Sequence, residues 1–410
     1  MPDPTVDRRG PVLVCYRQDD GAAVAREAVR ALRSVGVPVW VDENDMGVGR
    51  FDRTFRRAAE AGLAGAVFVA TPNVTRSDFI RSDEAPVWDA LANDPEFVLA
   101  IVNDGPAGPD GRPDYAFPGG LLALREQRLE LFKQYPVGED GWADRLVRDI
   151  AERRLHVLSA ETPERELRVE VSTRDEPSST PSVWELRATI GPSAEGTTVL
   201  GPLEVDQVRR LTRELPVLAS RLQRHTLRVR GGCHLPVAVA IGLAFPTVRP
   251  GRVVIEDNFG ATWDSHVRGG SVDLDPVDVG APDGDGEGVA VLVDFVPGQP
   301  AAGFGRLAEH LRVPARVLTA AGRERLDAAD GTTVAEQVAD AIRDFAGTRA
   351  TNRVHLCLRV PAALAVLIGR NLNTYRLSLY DFDRTTDAYV RFSDAQAGGP
   401  SSNVISPEHP

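Results

Sequence analysis

Two segments of this chain repeat one strand–turn–helix pattern, and that repeat limits the possible folds more than any other feature. Arg353 to Asn373, RVHLCLRVPAALAVLIGRNLN, opens with an apolar, β-branched run over Val354–Val360. Pro361 stands where a first helical turn tolerates proline, and Ala362 to Leu367 are good helix formers. A helix that starts there turns free N–H groups toward whatever lies beyond the carboxyl end of the strand. Thr226 to Gly242, TLRVRGGCHLPVAVAIG, echoes the pattern, with Gly242 and Gly369 standing 127 residues apart. The following strands keep nearly the same spacing, since RVVIED at Arg252–Asp257 aligns with RLSLYD at Arg376–Asp381, 124 residues on. Two related α/β halves are the economical reading.

The first 155 residues read as a separate unit. PVLVCY at Pro11–Tyr16 is a short apolar strand ended by a polar loop, and Ala22–Leu32 has helical spacing. Strands follow at Val37–Val41, Gly65–Ala70 and Phe97–Val102, with helices at Phe51–Gly62 and Asp83–Leu91 between them. A last strand at Gln127–Phe132 and a helix at Trp142–Arg154 complete the alternation. Regular alternation predicts a parallel sheet covered on both faces, in a flavodoxin-like arrangement whose sites form at the carboxyl ends of the strands. Asp42–Arg50, DENDMGVGR, is a polar loop at such an end, with Gly47 and Gly49 free to take positive φ.

The remaining boundaries follow from composition. Residues 156–180 form a charged, then Pro/Ser-containing junction, and a second domain spans 181–394, with halves at about 181–275 and 286–394. Asp273–Gly288 is an acidic, glycine-rich link between them, and 395–410 reads as a flexible tail. A calcium loop is disfavoured for Asp283–Glu287 because no twelve-residue loop with flanking helices is present. The seven histidines form no metal-ligand spacing, so neither a metal nor a cofactor is expected. Three scattered cysteines, Cys15, Cys233 and Cys357, predict reduced thiols. No run of eighteen apolar residues occurs, and MPDPTVDRRG lacks a signal-peptide core, which predicts a cytoplasmic protein without a membrane partner. A net charge of −12 speaks against long nucleic acids, so an anionic ligand would need a local nest of N–H groups and arginines.

VPAALAVLIGRNLN, followed by YRLSLYDFD and YVRF, resembles a SAVED domain over about Val183–Ser393. The resemblance implies two fused CARF-like (Rossmann-like) halves that bind a cyclic oligonucleotide, with cyclic tri-adenylate expected, in CBASS-type antiphage signalling. Gly231 and Gly232 serve either as a tight turn or as a place where N–H groups approach a phosphate. Phe259, Trp263, Tyr380 and Phe382 serve either the core or stacking on a base. The ligand-contact candidates are Gly231, Gly232, His234, Phe259, Trp263, Gln299 and Tyr380.

Residues 10–155 resemble a TIR domain, through VLVCYRQDD, WVDENDMGVGRF and TPNVTRSDFIRSDEAPVW. NAD-cleaving members of that family carry a catalytic glutamate after the third strand, which places Glu84 in the role with Asp83 as its rival. The family's usual Ser-x-Trp-Cys-x-x-Glu is here reduced to Ser82-Asp83-Glu84, or to a looser reading from Ser77 through Phe79. The resemblance implies NAD contacts from Tyr16, Arg17, Asp42, Asp45, Gly49, Phe51 and Ser82. It also implies self-association into a ligand-dependent oligomer or filament, in which the Asp42–Arg50 loop completes a neighbour's site. NAD would be a substrate and the cyclic oligonucleotide an activator. The competing reading is a non-catalytic TIR scaffold under nucleotide control, because a fold alone does not establish activity.

Overall fold

The computed structural model describes residues 4–41, 51–159, 165–174, 184–191, 198–249, 251–279, 285–296, 302–320, 326–398 and 404–405, without the side chains of 51–53 and 302. The chain divides into two compact units, one of residues 1–164 with 185–187, the other of 165–184 with 188–410.

The first unit is a parallel sheet of five strands: β1 (Val12–Cys15), β2 (Val39–Trp40), β3 (Gly65–Ala70), β4 (Val98–Asn103) and β5 (Gln134–Pro136). Their order is β2-β1-β3-β4-β5, the flavodoxin-like arrangement. β1 and β3 are buried at every residue, as strands covered on both faces must be. The helices are α1 (Gln18–Ser34), α2 (Phe51–Ala61), α3 (Ala85–Leu91) and α4 (Trp142–Leu158). α1 carries Asp19 and Asp20 in its first turn and Arg33 in its last, each favoured by the helix dipole. Its inner stripe includes Ala25, Ala28, Val29 and Leu32.

One strand lies elsewhere than the sequence predicts. Gln127–Phe132 was expected to pair in the sheet, but it holds a 3₁₀ turn at Leu129–Leu131, and the fifth strand is Gln134–Pro136. The Asp89 carboxylate accepts the N–H groups of Arg125, Glu126 and Gln127 at 2.9–3.3 Å, which takes them out of any ladder. Of that run Leu129 is buried and Phe132 packs partly buried against the core, whereas Leu131 is 75% exposed.

The second unit holds two sheets. The first contains β6 (Glu166–Ser172), β7 (Leu186–Thr189), β8 (Thr226–Arg230), β9 (Arg252–Glu256) and β10 (Thr262–Asp264), in the order β10-β9-β8-β6-β7. The second contains β11 (Leu274–Val279), β12 (Val289–Asp294), β13 (Ala315–Ala320), β14 (Arg353–Arg359), β15 (Arg376–Asp383) and β16 (Ala388–Ala395). Its order, β16-β15-β14-β12-β13-β11, repeats the first sheet position by position and adds β11 at the far edge. Each sheet has a parallel centre and an antiparallel edge after its third central strand. These are two Rossmann-like halves, as the repeat predicts.

Three boundaries move. The junction predicted over 156–180 contains β6, whose Leu167, Val169 and Val171 are buried and whose partner is β8. The acidic link contains β11, an edge strand paired antiparallel to β13, with the Arg316 guanidinium on Asp278 at 2.6 Å. The tail is tied down at Val404 and Ile405, both buried, with Ile405 bridged to Ala395.

The helices of the second unit are α5 (Pro202–Arg221), α6 (Leu235–Ala244), α7 (Ala302–Leu311), α8 (Gly331–Thr348) and α9 (Ala362–Asn371). α6 and α9 are the repeated helices of the sequence, and they pack on each other. A Cβ on Gly242 would stand 2.1 Å from the Val366 carbonyl oxygen, and one on Gly369 would stand 2.3 Å from that of Val239. The paired glycines therefore let two backbones touch. Pro236–Ala244 and Ala363–Arg370 are buried throughout, as expected of helices with neighbours all round.

Gly242→Ala and Gly369→Ala are each expected to destabilise the second unit by about 1–3 kcal/mol or more through overpacking. Gly305→Ala in α7, where a Cβ meets nothing within 4 Å, is expected to be neutral or stabilising by about 0.5–1 kcal/mol. Denaturant midpoints of the three variants check this.

Candidate functional site

At the carboxyl ends of the strands of the second unit's two halves lies a cavity of about 770 Å³. Gly231, Gly232 and Cys233, between β8 and α6, form one wall, and Val360 to Ala363, from the end of β14 into the first turn of α9, form the equivalent wall of the other half. Both helices thus begin at the cavity, His234 capping α6 and Pro361 capping α9. The first N–H groups of α9 have no intrahelical partner and make that rim attractive to an anion.

Gly231 is required where it stands. Its φ is +119°, and a Cβ there would lie 2.2 Å from the Val171 carbonyl oxygen. Next to it, the Gly232 carbonyl accepts the N–H groups of Thr173 and Arg174 at 2.9 and 3.2 Å, which fixes the end of β6 at the cavity. Arg174 is the basic residue among the described cavity-lining residues, and its side chain is 44% exposed. Three acids line the space, and each has donors. Glu256 accepts from Arg228 at 3.0 Å, and Asp327 from the Ala329 N–H at 3.1 Å. Asp257 accepts the N–H groups of Phe259 and Ala261 at 2.9 Å and the Trp263 indole N–H at 3.0 Å.

The sequence-predicted contacts divide accordingly. Gly231, Gly232, Phe259 and Trp263 come together on the lining. Phe259 is 83% exposed at the tip of the β9–β10 turn, whereas Trp263 is 2% exposed, so its indole forms floor and not a free stacking face. His234 is buried behind the wall. Its Nε2–H donates to the Thr198 carbonyl at 3.1 Å, and its Nδ1 accepts from the Thr173 hydroxyl at 2.7 Å. Burial, and then the charge of Arg174, push its pKa down to about 4. Tyr380 corrects the sequence reading. It is buried in the core with its hydroxyl on His355 Nδ1 at 3.0 Å and does not line the cavity. Successive strand residues face opposite ways, so it is Asp381, one residue on, that approaches Arg174, at 3.9 Å. Gln299 lies outside the described residues.

Sequence reasoning missed Arg174 and Asp381. Arg174 was assigned to the junction, although the alternation of Leu167, Val169 and Val171 followed by Ser-Thr-Arg is the signal of a strand ending in a loop.

In the first unit, Glu84 ends a π-helical turn, Ile80–Glu84, in which the Ala85 N–H reaches the Ile80 carbonyl. Pro86 has no N–H to give the Ser82 carbonyl, which favours widening of the turn there. The Glu84 side chain is buried, and Cys15, the last residue of β1, donates its thiol hydrogen to Oε2 at 2.7 Å. Glu84 thus sits at the carboxyl end of β1, where Tyr16 and Arg17 leave the strand. Tyr16 is buried with its hydroxyl accepting from Gln18 at 2.9 Å, and Arg17 pairs with Asp19 at 2.6 Å. The rival Asp83 accepts from Arg56 of α2 at 3.0 Å, and Ser82 is exposed. Asp42, Asp45 and Gly49, with the rest of the 42–50 loop, lie outside the described residues, as does the side chain of Phe51.

Among the described residues no group of acidic, histidine and cysteine side chains could hold a metal ion, and no helix is long and apolar enough to cross a membrane. Cys15, Cys233 and Cys357 are free thiols, all buried.

Residues 211–392 match the family described as "SMODS-associated and fused to various effectors sensor domain" (SAVED). No curated protein matches the chain. Among solved structures, the chain is similar to the Cap4 SAVED/CARF-domain containing receptor of Acinetobacter baumannii with the cyclic trinucleotide 3′3′3′-cAAA. The identity is 11%, with 91% of this chain and 97% of that one covered, at a TM-score of 0.44. The Cap4 receptor of Moraxella osloensis is similar at 13% identity, covering 91% and 97%, with a TM-score of 0.40. A metazoan TIR-STING receptor from C. gigas, in complex with 2′,3′-cGAMP, is similar at 13% identity over 42% of this chain and 61% of that one, at 0.25.

A neutral His234 satisfies both its hydrogen-bond partners, so NMR is expected to find the ring uncharged down to about pH 5. Its folded pKa, about 4, lies below the ordinary 6.5, so the stability it contributes is present above pH 6.5 and is lost as pH falls toward 4. Thr173→Val, which strands both Nδ1 and the His234 N–H, is expected to cost about 1–3 kcal/mol in denaturant unfolding.

Proposed function

We propose that this chain is a CBASS-type antiphage effector, in which a cyclic oligonucleotide bound by the second unit switches on hydrolysis of NAD by the first, depleting cellular NAD. The observation that carries the sensor half is the cavity itself. It lies where repeated strands end and repeated helices begin, lined largely by the segment matching the SAVED family, with a glycine-lined wall and, among the described residues, one basic side chain, Arg174, ahead of that segment. A ring of nucleotides offers several phosphates and bases to such a space, and Phe259 at its rim is placed to stack on one of them. Cyclic tri-adenylate, the kind of ligand present with the Acinetobacter baumannii receptor, is the first probe to use.

The effector half rests on the resemblance of residues 10–155 to TIR domains and on the placement of Glu84. Breaking the nicotinamide–ribose bond develops positive charge on the sugar. A carboxylate fixed at the carboxyl end of β1 stabilises that charge and accepts hydrogen bonds from ribose hydroxyls, while nicotinamide leaves without a covalent nucleophile or metal. Water completes hydrolysis to ADP-ribose. Ligand-driven assembly of several chains would supply the 42–50 loop of one copy to the site of the next, so that activity tracks assembly.

Nicotinamide release by the purified chain is the test. It is expected to appear only with cyclic oligonucleotide and to rise more steeply than linearly with protein concentration, in step with light scattering. Glu84→Gln should lower it at least about 10²-fold with ligand binding unchanged. Full activity in Glu84→Gln would end the assignment of Glu84, and ligand-bound monomers of full activity would end the role of assembly.

A further inference from the structure

Asp381 does not line the cavity, yet its carboxylate is incompletely served. The side chain is 6% exposed. Oδ1 accepts the Phe382 N–H at 3.0 Å, whereas Oδ2 is buried with no hydrogen-bond partner among the described residues. Arg174 stands 3.9 Å from Oδ1, too far for a hydrogen bond, so its charge acts through space. His234 Nε2 is 3.7 Å from Oδ2, but its proton is committed to the Thr198 carbonyl. The other titratable groups facing Asp381 are Cys233 before α6, Tyr389 on β16 and the exposed Asp383 on its own strand.

The repeat makes this shortage visible. Asp257 and Asp381 are equivalent residues of the repeat, the first just past β9 and the second within β15, two residues before its end. Asp257 receives three N–H donors, and Asp381 receives one. A buried carboxylate with so few donors must keep a cation nearby or take up a proton.

We propose that Asp381 is the proton-accepting counter-ion of Arg174: when a phosphate-bearing ligand in the cavity engages the Arg174 guanidinium, the Asp381 carboxylate takes one proton from solvent. The proposal rests on the reading of the cavity as an anion site. In the free protein burial pushes the Asp381 pKa up to about 6, with Arg174 and the Phe382 N–H opposing and Asp383 adding to the rise. Ligand binding commits the opposing cation to phosphate and brings a negative charge closer, so the pKa rises further. Above about pH 6 the free form is ionised and the complex protonated. Affinity therefore falls as pH rises, by up to about tenfold per pH unit.

Calorimetry of cyclic tri-adenylate binding to the full chain, at pH 7.5 in buffers of different ionisation enthalpy, measures the proton directly. Wild type is expected to take up close to one proton, and Asp381→Asn none. Asp381→Asn should bind about tenfold more tightly at pH 7.5, with affinity flat between pH 5.5 and 8. A merely structural role would weaken binding at every pH and leave the uptake in place, so an unchanged proton count in Asp381→Asn overturns the proposal. If cyclic tri-adenylate fails to bind at any pH, the ligand assignment falls, and a ligand-free measurement still decides the role of Asp381. The folded pKa, about 6, lies above the unfolded 3.8, so stability is lost as pH rises through that window. Asp381→Asn should lack this decline and Arg174→Met should steepen it, whereas parallel declines in all three proteins would overturn the ion pair.

Discussion

The second unit depends on a contact between two backbones. Gly242 of α6 and Gly369 of α9 bring the helices so close that no side chain fits at either position. Close approach of this kind sets both the separation of the two halves and the distance between the loops that precede the helices, because a helix ten residues long is a stiff rod. His234 and Pro361, the two caps, are consequently held on either side of one space. The cavity is thus a product of core packing at the far ends of the same helices, and its shape is set by residues that never touch its contents.

Repetition places equivalent residues at equivalent points, and divergence then gives them different work. Gly231 closes against β6, while Leu358, at the same position in the other half, is a strand residue. Asp257 organises the turn that presents Phe259 and holds the Trp263 indole. Asp381 faces Arg174 and His234 from behind the wall instead. A symmetric site would read a symmetric ligand equally from both sides, whereas this one has, among the described residues, its cation and its most exposed aromatic, Phe259, on the half formed from β6 to β10, with the half-buried Phe295 on the other.

The repeat, the class of each unit and the flavodoxin-like order were legible in the sequence because they rest on long buried runs such as Val12–Cys15, Val289–Asp294 and Val354–Leu358, which only a doubly covered sheet accommodates. Edge elements were not. β11 carries Asp275, Pro276 and Asp278 and is exposed through its centre, so its sequence reads as linker until Arg316 is seen beside it. β6 alternates apolar residues with Glu166, Arg168 and Glu170, and Arg228 and Arg230 on β8 pair with the two glutamates. Such pairs are set by register between strands sixty residues apart, which periodicity within one strand does not reveal. Tyr380 was singled out for its ring, while the neighbouring Asp381 faces the other side of the sheet. An alternation of two decides which of them approaches Arg174, and the bulge at Leu379/Tyr380 obscures that count.

The proposed anion site must form in a chain of net charge −12. Counting the described side chains would make the lining acidic, with Glu256, Asp257 and Asp327 against Arg174. Counting donors reverses the balance. Each of the three acids is occupied by a guanidinium, by backbone N–H groups or by an indole, and an acid so engaged projects little of its field into the cavity. Arg174 is matched only at 3.9 Å, by a carboxylate that burial already drives toward protonation. Among the described lining residues the weakest-held charge is therefore this cation, for which the proposed phosphate competes against a carboxylate that can give up its charge. Long nucleic acids meet the acidic exterior first and gain nothing from this arrangement. On the proposed reading, a small ligand that fits within about 770 Å³ gains all of it, which makes the selection one of size as much as of charge.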